Sequence, residues 1–126
     1  MSKSAFSLFV FSLYMFVLGM LLIVVPNQML SLFSVAETQE VWIRVVGMLI
    51  LIIGFLNFMA SRNELIIYIR WTVYGRLAVL LFLTLFVAFG LAPPVLILFG
   101  VIDALAAVWT AVSLRNDAVS STFPVD

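Results

Sequence analysis

Two charged residues stand inside long apolar stretches of this 126-residue chain. Asp103 lies within residues 93–114, which contain no other charge, and Arg76 lies within a second apolar stretch, residues 65–92. Both stretches are long enough to cross a lipid bilayer, where a charged side chain is costly unless it has a partner or a function. Arg76 and Asp103 are therefore the first candidates for a functional site.

Two tryptophans indicate how deep these charges lie, because tryptophan favours the membrane interface. Arg76 follows Trp71 by five residues, and Asp103 precedes Trp109 by six. At about 1.5 Å per residue, the two charges lie roughly 7.5 and 9 Å above the same interface. The matched depth predicts a buried Arg76–Asp103 ion pair between the third and fourth spans.

Three roles are open for such a pair. It could fix how the helices pack, line a cavity for a polar head group, or take part in moving a proton or ion. A proton relay needs several titratable groups in series, and Asp103 is the one deep acid that the sequence offers.

The composition excludes several classes of function. The chain is 66% hydrophobic and 10% charged, whereas soluble domains have about 25% charged residues. Six basic and six acidic side chains give no net charge, so no nucleic-acid partner is expected. Cysteine and histidine are absent, which removes thiolate chemistry and the commonest zinc and haem ligands. We therefore expect a protein that is not an enzyme and holds no metal or cofactor.

Four apolar stretches satisfy the length of about 20 residues that a membrane-spanning helix needs. They cover about 5–25, 41–60, 65–90 and 94–114. Lipid offers the backbone no hydrogen-bond partners, so each stretch must be helical. The prediction is an all-α, integral membrane four-helix bundle that forms one domain over residues 1–126.

The connections contain two S-x-x-E patterns, which are typical of helix starts. One begins at Ser34 and ends at Glu37, and the other begins at Ser61 and ends at Glu64. Residues 26–36, after the first span, mix apolar and polar side chains at helical spacing. This segment is either a short interfacial helix on the membrane surface or a connector packed against the span ends.

Basic residues near the span ends predict the orientation, because cytoplasmic connections are rich in lysine and arginine. Lys3, Arg62 and Arg115 precede the first span, join the second to the third, and follow the fourth. The other two connections contain Glu37 and Glu40 but no basic residue. Both termini are therefore expected on the cytoplasmic side of the cell inner membrane.

Glu40, Trp42 and Arg44 form a candidate site at the outer interface. Glu40 precedes Arg44 by four residues, which would bring them together on one helix face. Arg44 could then cap a packed groove, or its long stem could carry the guanidinium to lipid phosphate.

Small residues at helical spacing predict two packing seams, where helices approach closely. The second span contributes Gly47 and Gly54 on the face of Arg44. The fourth span contributes Gly100, Ala104, Ala107 and Ala111 beside Asp103. These seams predict self-association or docking into a larger membrane complex.

Short motifs in the last three spans carry a family resemblance. They are WIRVVG at 42–47, Gly75-Arg76, and FGVID at 99–103 followed by Trp109-Thr110. Residues from about 26 to 115 resemble small bacterial four-helix membrane proteins of unsettled biochemical role, loosely similar to DoxX-like proteins. The resemblance implies a four-helix inner-membrane fold and supplies no catalytic residue.

These observations predict a non-enzymatic membrane protein that serves as a small subunit or accessory of a membrane assembly. It would contact membrane lipids and hold a lipid or another apolar molecule. The alternative is a small oligomeric transporter or channel that uses Arg76 and Asp103. Asp103→Asn separates the two, because flux should fail only in a transporter.

Overall fold

The computed structural model describes the backbone of residues 1–122 and the side chains of residues 1–119. The helices in this part of the chain are α1 (Lys3–Val24), α2 (Pro26–Leu32), α3 (Trp42–Arg62), α4 (Ile66–Ala88) and α5 (Ile97–Thr122). A 3-10 turn at Pro94–Leu96 leads into α5. Four of the helices, all except α2, are long and apolar enough to cross a membrane. The predicted all-α architecture with four long apolar helices is confirmed.

The connector after the first helix contains a helix of its own. Pro26 is the first residue of α2 and is buried. Proline suits the first turn of a helix, where a backbone amide would have no partner within the helix. Most other α2 side chains are exposed or half-buried. Residues 35–40 then run without regular structure to the start of α3.

Helix α1 is the centre of the bundle. It packs along α3 on one side and α5 on another, and α5 packs along α4. By contrast, α3 and α4 contact each other little, although a tight turn joins them. The long helices therefore form two close pairs, α1 with α3 and α4 with α5, which are joined through α1 and α5.

The apolar core lies near the first half of α1. Ala5, Leu8 and Phe11 of this helix pack with Ala60 of α3 and Ile69 of α4. In α4 the buried residues are Ile69, Val73 and Arg76, which are spaced by four and three residues and share one face. No residue of α4 after Arg76 is buried. Arg76 therefore lies at the limit of the region where α4 faces the core.

The two S-x-x-E patterns do not begin helices, so that prediction was wrong. Ser34 and Glu64 have left-handed backbones, with φ of 56° and 53°, and each follows the end of a helix. The Leu65 amide donates to the Ala60 carbonyl, and the Val35 amide donates to the Leu30 carbonyl. This is the Schellman pattern of a helix C-terminus, in which a residue just past the helix turns left-handed.

One end of the bundle is held together by carboxylates bound to the start of α1. We name it the Glu64 end, because Glu64 binds Ser2 there. At the same end, Asp117 of α5 accepts hydrogen bonds from the Ser4 hydroxyl at 2.7 Å and from the Ser4 amide at 3.0 Å. Asp117 belongs to a stretch of α5 that extends beyond the predicted span end at residue 114. The opposite end, where α1 ends and α3 begins, is the Arg44 end.

Candidate functional site

Arg76 lies in the bundle core with its guanidinium bound to its own helix. The side chain is only 5% exposed. Its Nε donates to the Thr72 carbonyl at 3.2 Å, and its Nη2 donates to the Thr72 hydroxyl at 3.1 Å. The guanidinium carbon also lies 4.9 Å from the centre of the Phe11 ring, within the range of a cation–π contact. Thr72 and Phe11 therefore fix the position of this charge.

The direct ion pair predicted between Arg76 and Asp103 is not formed in the described structure. Arg76 uses two of its nitrogens on Thr72, and Nη1 has no hydrogen-bond partner among the described residues. Asp103 is half-buried and close enough for its charge to act on Arg76. The two charges therefore share one region of the core without touching, because Thr72 and Phe11 hold the guanidinium against α4 and α1.

Tyr14 of α1 is a third member of this polar cluster. Its hydroxyl is buried and also lacks a partner among the described residues, and the charge of Asp103 acts on it. Depth counting in the third and fourth spans could not identify Tyr14, since it lies on another helix. The available signal was an aromatic hydroxyl in the middle of the first apolar stretch. Tyr14, Arg76 and Asp103 bring α1, α4 and α5 together at one polar site.

Several other buried polar groups among the described residues form hydrogen bonds between helices. The Ser7 and Thr110 hydroxyls lie 2.7 Å apart and join α1 to α5. The Tyr68 hydroxyl donates to Asn57 Oδ1 at 2.8 Å, and Asn57 Nδ2 donates to Met15 Sδ at 3.3 Å. Unlike these groups, the Tyr14 hydroxyl and Arg76 Nη1 have no partner among the described residues, so they are candidates for binding another molecule.

The site predicted from Glu40, Trp42 and Arg44 is arranged differently from the sequence expectation. Glu40 precedes the start of α3, so it does not share a helix face with Arg44. Arg44 Nη1 instead donates to the carbonyl of Ile23 in α1, and Trp42 is 66% exposed. The expected Glu40–Arg44 pair does not form because α3 begins only at Trp42. Glu40 therefore lies in the irregular connection before the helix.

A small polar cavity of about 160 Å³ lies at this Arg44 end. Its rim includes Glu40 and Arg44, and the Asn27 side chain accepts a hydrogen bond of 2.9 Å from the Thr38 amide. The hydrogen bond ties α2 to the irregular connection. Glu40 and Arg44 therefore share a cavity although they do not contact each other.

Gly47 and Gly54, the glycines of the first predicted seam, lie against α1. A Cβ built on Gly47 would come within 2.8 Å of the Gly19 carbonyl oxygen, and one on Gly54 within 3.0 Å of Met15 Cβ. Gly19, which the sequence reasoning missed, meets Gly47 in return. Small residues on both helices thus allow the backbones of α1 and α3 to approach closely.

The residues of the second predicted seam lie in different surroundings. Gly100 packs on α4, where an added Cβ would lie 2.9 Å from Leu80 Cα. Ala107 is fully buried, whereas Ala104 is half-buried and Ala111 is exposed. Because Ala111 is exposed, this part of the seam is left open to another molecule.

Family models, curated proteins and solved structures were compared with this chain, and none matches. The resemblance to DoxX-like proteins accordingly stays a prediction from short motifs.

The chemistry open to the polar cluster is limited by how its neighbours are bonded. The hydroxyls of Ser7 and Ser12 donate to carbonyls three residues earlier in their own helix, and Thr72 does the same. Activation of a hydroxyl nucleophile needs an adjacent base, whereas these protons are directed to the backbone. The hydroxyls of Ser7, Ser12 and Thr72 are therefore not activated as nucleophiles.

Proposed function

We propose that the protein is a non-enzymatic integral membrane protein that serves as a small subunit or accessory of a membrane assembly. In this proposal both termini lie in the cytoplasm. The protein holds a lipid or another apolar molecule against its helices.

The exposed surface of α4 carries this proposal. Among its side chains Ile67 is 73% exposed, Trp71 66% and Phe82 56%. Soluble monomers rarely expose apolar patches larger than a few hundred Å², and larger ones mark membrane or protein contacts. The exposed apolar side chains of α4 therefore need to be covered by lipid or by another protein chain.

An open apolar groove supports the lipid-binding part of the proposal. It is a wide, open surface along the second half of α1 rather than an enclosed cavity. Its lining is formed by Phe16, Val17, Met20, Leu21, Val24 and Val25. This lining matches an acyl chain or another extended hydrocarbon, which would gain dispersion contacts without meeting a polar group.

The distribution of basic residues supports the orientation. Lys3 and Arg62 lie next to the contact between Ser2 and Glu64, and Arg115 lies two residues before Asp117. Lys3, Arg62 and Arg115 therefore lie at the Glu64 end, whereas Arg44 lies at the opposite end. Cytoplasmic ends of membrane helices are enriched in such residues.

Extraction of the tagged protein from its native membrane into polymer-bounded discs tests the proposal. Native mass spectrometry should detect the chain with a second copy or another protein, together with retained lipid. Retention should survive extensive washing. A lone chain that retains no specific lipid or partner contradicts the subunit reading.

The second candidate is an oligomeric transporter or channel, favoured by the unbonded donors near Asp103. Asp103→Asn reconstituted into liposomes distinguishes the two functions. A transporter should lose ion or solute flux while its helices persist, whereas a subunit should lose assembly or stability and show no specific flux defect. Glu37→Gln is the matched control, because it removes an exposed carboxylate outside the helices.

A further inference from the structure

The core of the bundle contains two buried hydrogen-bond donors without partners, and the half-buried carboxylate of Asp103 lies on a neighbouring helix. Among the described residues, the Tyr14 hydroxyl and Arg76 Nη1 are buried and have no partner. The Phe11 ring lies 5.6 Å from the Tyr14 ring and 4.9 Å from the Arg76 guanidinium carbon, and Asp103 lies on α5, which packs against both α1 and α4. Among the described residues, no hydrogen bond or ion pair connects Asp103 to Tyr14 or Arg76. A buried donor without a partner destabilises the folded state, and a charged donor does so more than a neutral one.

A simple rotation of Arg76 toward Asp103 would exchange one set of contacts for another. The guanidinium would give up two hydrogen bonds to Thr72 and its contact with the Phe11 ring. With the guanidinium held in this position, a partner for Nη1 has to come to it.

The chemistry of the three groups selects the missing partner. Nη1 of arginine can only donate, a carboxylate can only accept, and a tyrosine hydroxyl can do either. A lipid carbonyl would satisfy the donors but would leave Asp103 facing a second acceptor. A molecule that both accepts and donates satisfies all three. Water does so, and buried waters typically make about three hydrogen bonds.

We propose that an ordered water lies between α1, α4 and α5 and bridges Tyr14, Arg76 and Asp103. It accepts from Arg76 Nη1 and the tyrosine hydroxyl and donates to the carboxylate. Both polar atoms are closed off by neighbouring side chains, so the water needs a small outward movement of the half-buried Tyr14 and Asp103. Arg76 stays on Thr72. The proposal stands independently of the function proposed above.

The bridging water explains how the opposite charges coexist without contact. It links Arg76 to Asp103 indirectly and extends the link to α1 through Tyr14. Next to it lie Phe11 and the apolar core, which do not bind water. The water therefore does not continue into the apolar core on the Phe11 side.

Water-edited solid-state NMR of the protein in lipid bilayers tests this inference. In this experiment magnetisation passes from water to nearby protein groups. With labelled arginine and phenylalanine, the Arg76 guanidinium should receive the water signal although it is buried. The neighbouring Phe11 ring should not.

Variants make the test specific. Tyr14→Phe and Asp103→Leu each remove one partner of the water and should reduce or abolish the transfer to Arg76. Asp103→Asn keeps an acceptor at the site and should retain it. Tyr74→Phe is the matched control, because Tyr74 is 60% exposed. A folded wild-type protein whose Arg76 signal builds up no faster than that of Phe11 overturns the proposal, as does a direct Arg76–Asp103 contact.

Discussion

The Glu64 carboxylate accepts two hydrogen bonds from Ser2, one at 2.6 Å from the backbone amide and one at 2.7 Å from the hydroxyl. The two residues are 62 positions apart in the chain. Glu64 lies in the tight turn between α3 and α4, so this contact ties the start of α1 to that turn. A carboxylate at a helix N-terminus also interacts favourably with the helix dipole.

Removing the Glu64 side chain should loosen the Glu64 end of the bundle. Glu64→Ala leaves the Ser2 amide and hydroxyl without their carboxylate, and we expect a loss of about 1 kcal/mol because the contact is exposed. Thermal unfolding in detergent, followed by helical circular dichroism, measures this loss. Glu37→Ala removes an exposed acid in an irregular segment and should leave the midpoint unchanged. Equal midpoints for the two variants would contradict the role given to Glu64.

Ser34 should be replaceable by glycine with a gain in stability. Its φ of 56° is left-handed, which costs an L-residue roughly 1 kcal/mol that glycine avoids. Ser34→Gly should therefore raise the unfolding midpoint. The same change at Glu64, also left-handed, should gain less or lose stability because it removes the contact with Ser2. A midpoint lowered by Ser34→Gly would refute the helix-end geometry at this residue.

Gly47 should not tolerate a methyl group. A Cβ there meets the Gly19 carbonyl oxygen at 2.8 Å and Leu22 Cβ at 2.9 Å, so α1 and α3 must separate. We expect Gly47→Ala to destabilise the protein by about 1–3 kcal/mol, the usual cost of overpacking. At Gly75 of α4, by contrast, an added Cβ meets nothing within 4 Å. Gly75→Ala should be neutral or slightly stabilising, and a similar loss at both positions would argue against close α1–α3 packing.

The natural absence of cysteine makes the proposed orientation simple to test. In intact cells stripped of the outer membrane, a membrane-impermeant maleimide should label Glu37→Cys. It should not label Asn63→Cys, which lies at the Glu64 end, until the membrane is permeabilised. The opposite pattern would place the termini outside. Both positions are exposed, so a difference in labelling reports the side of the membrane rather than burial.

The long helices could be predicted from the sequence because their apolar stretches are continuous and of spanning length. Local patterns at the helix ends were less informative. The S-x-x-E spacing at Ser61 fits a helix start, yet the Ser61 hydroxyl donates to the Phe58 carbonyl inside α3. Glu64 turns away to bind Ser2. The pattern failed because a distant residue, rather than the local backbone, supplies the partner of this carboxylate.

The four long helices and the two charges within them follow from the sequence, which also predicts a similar depth for the two charges. Helical rise is constant, so counting residues from Trp71 and Trp109 places Arg76 and Asp103 at one level. The groups that each charge contacts depend on how the helices pack. The rotation of each helix about its axis and the side-chain conformation depend on packing, and this packing directs Arg76 to Thr72 and Phe11. The same packing brings Tyr14 from α1 to the vicinity of Asp103, a relationship that no spacing within one helix encodes.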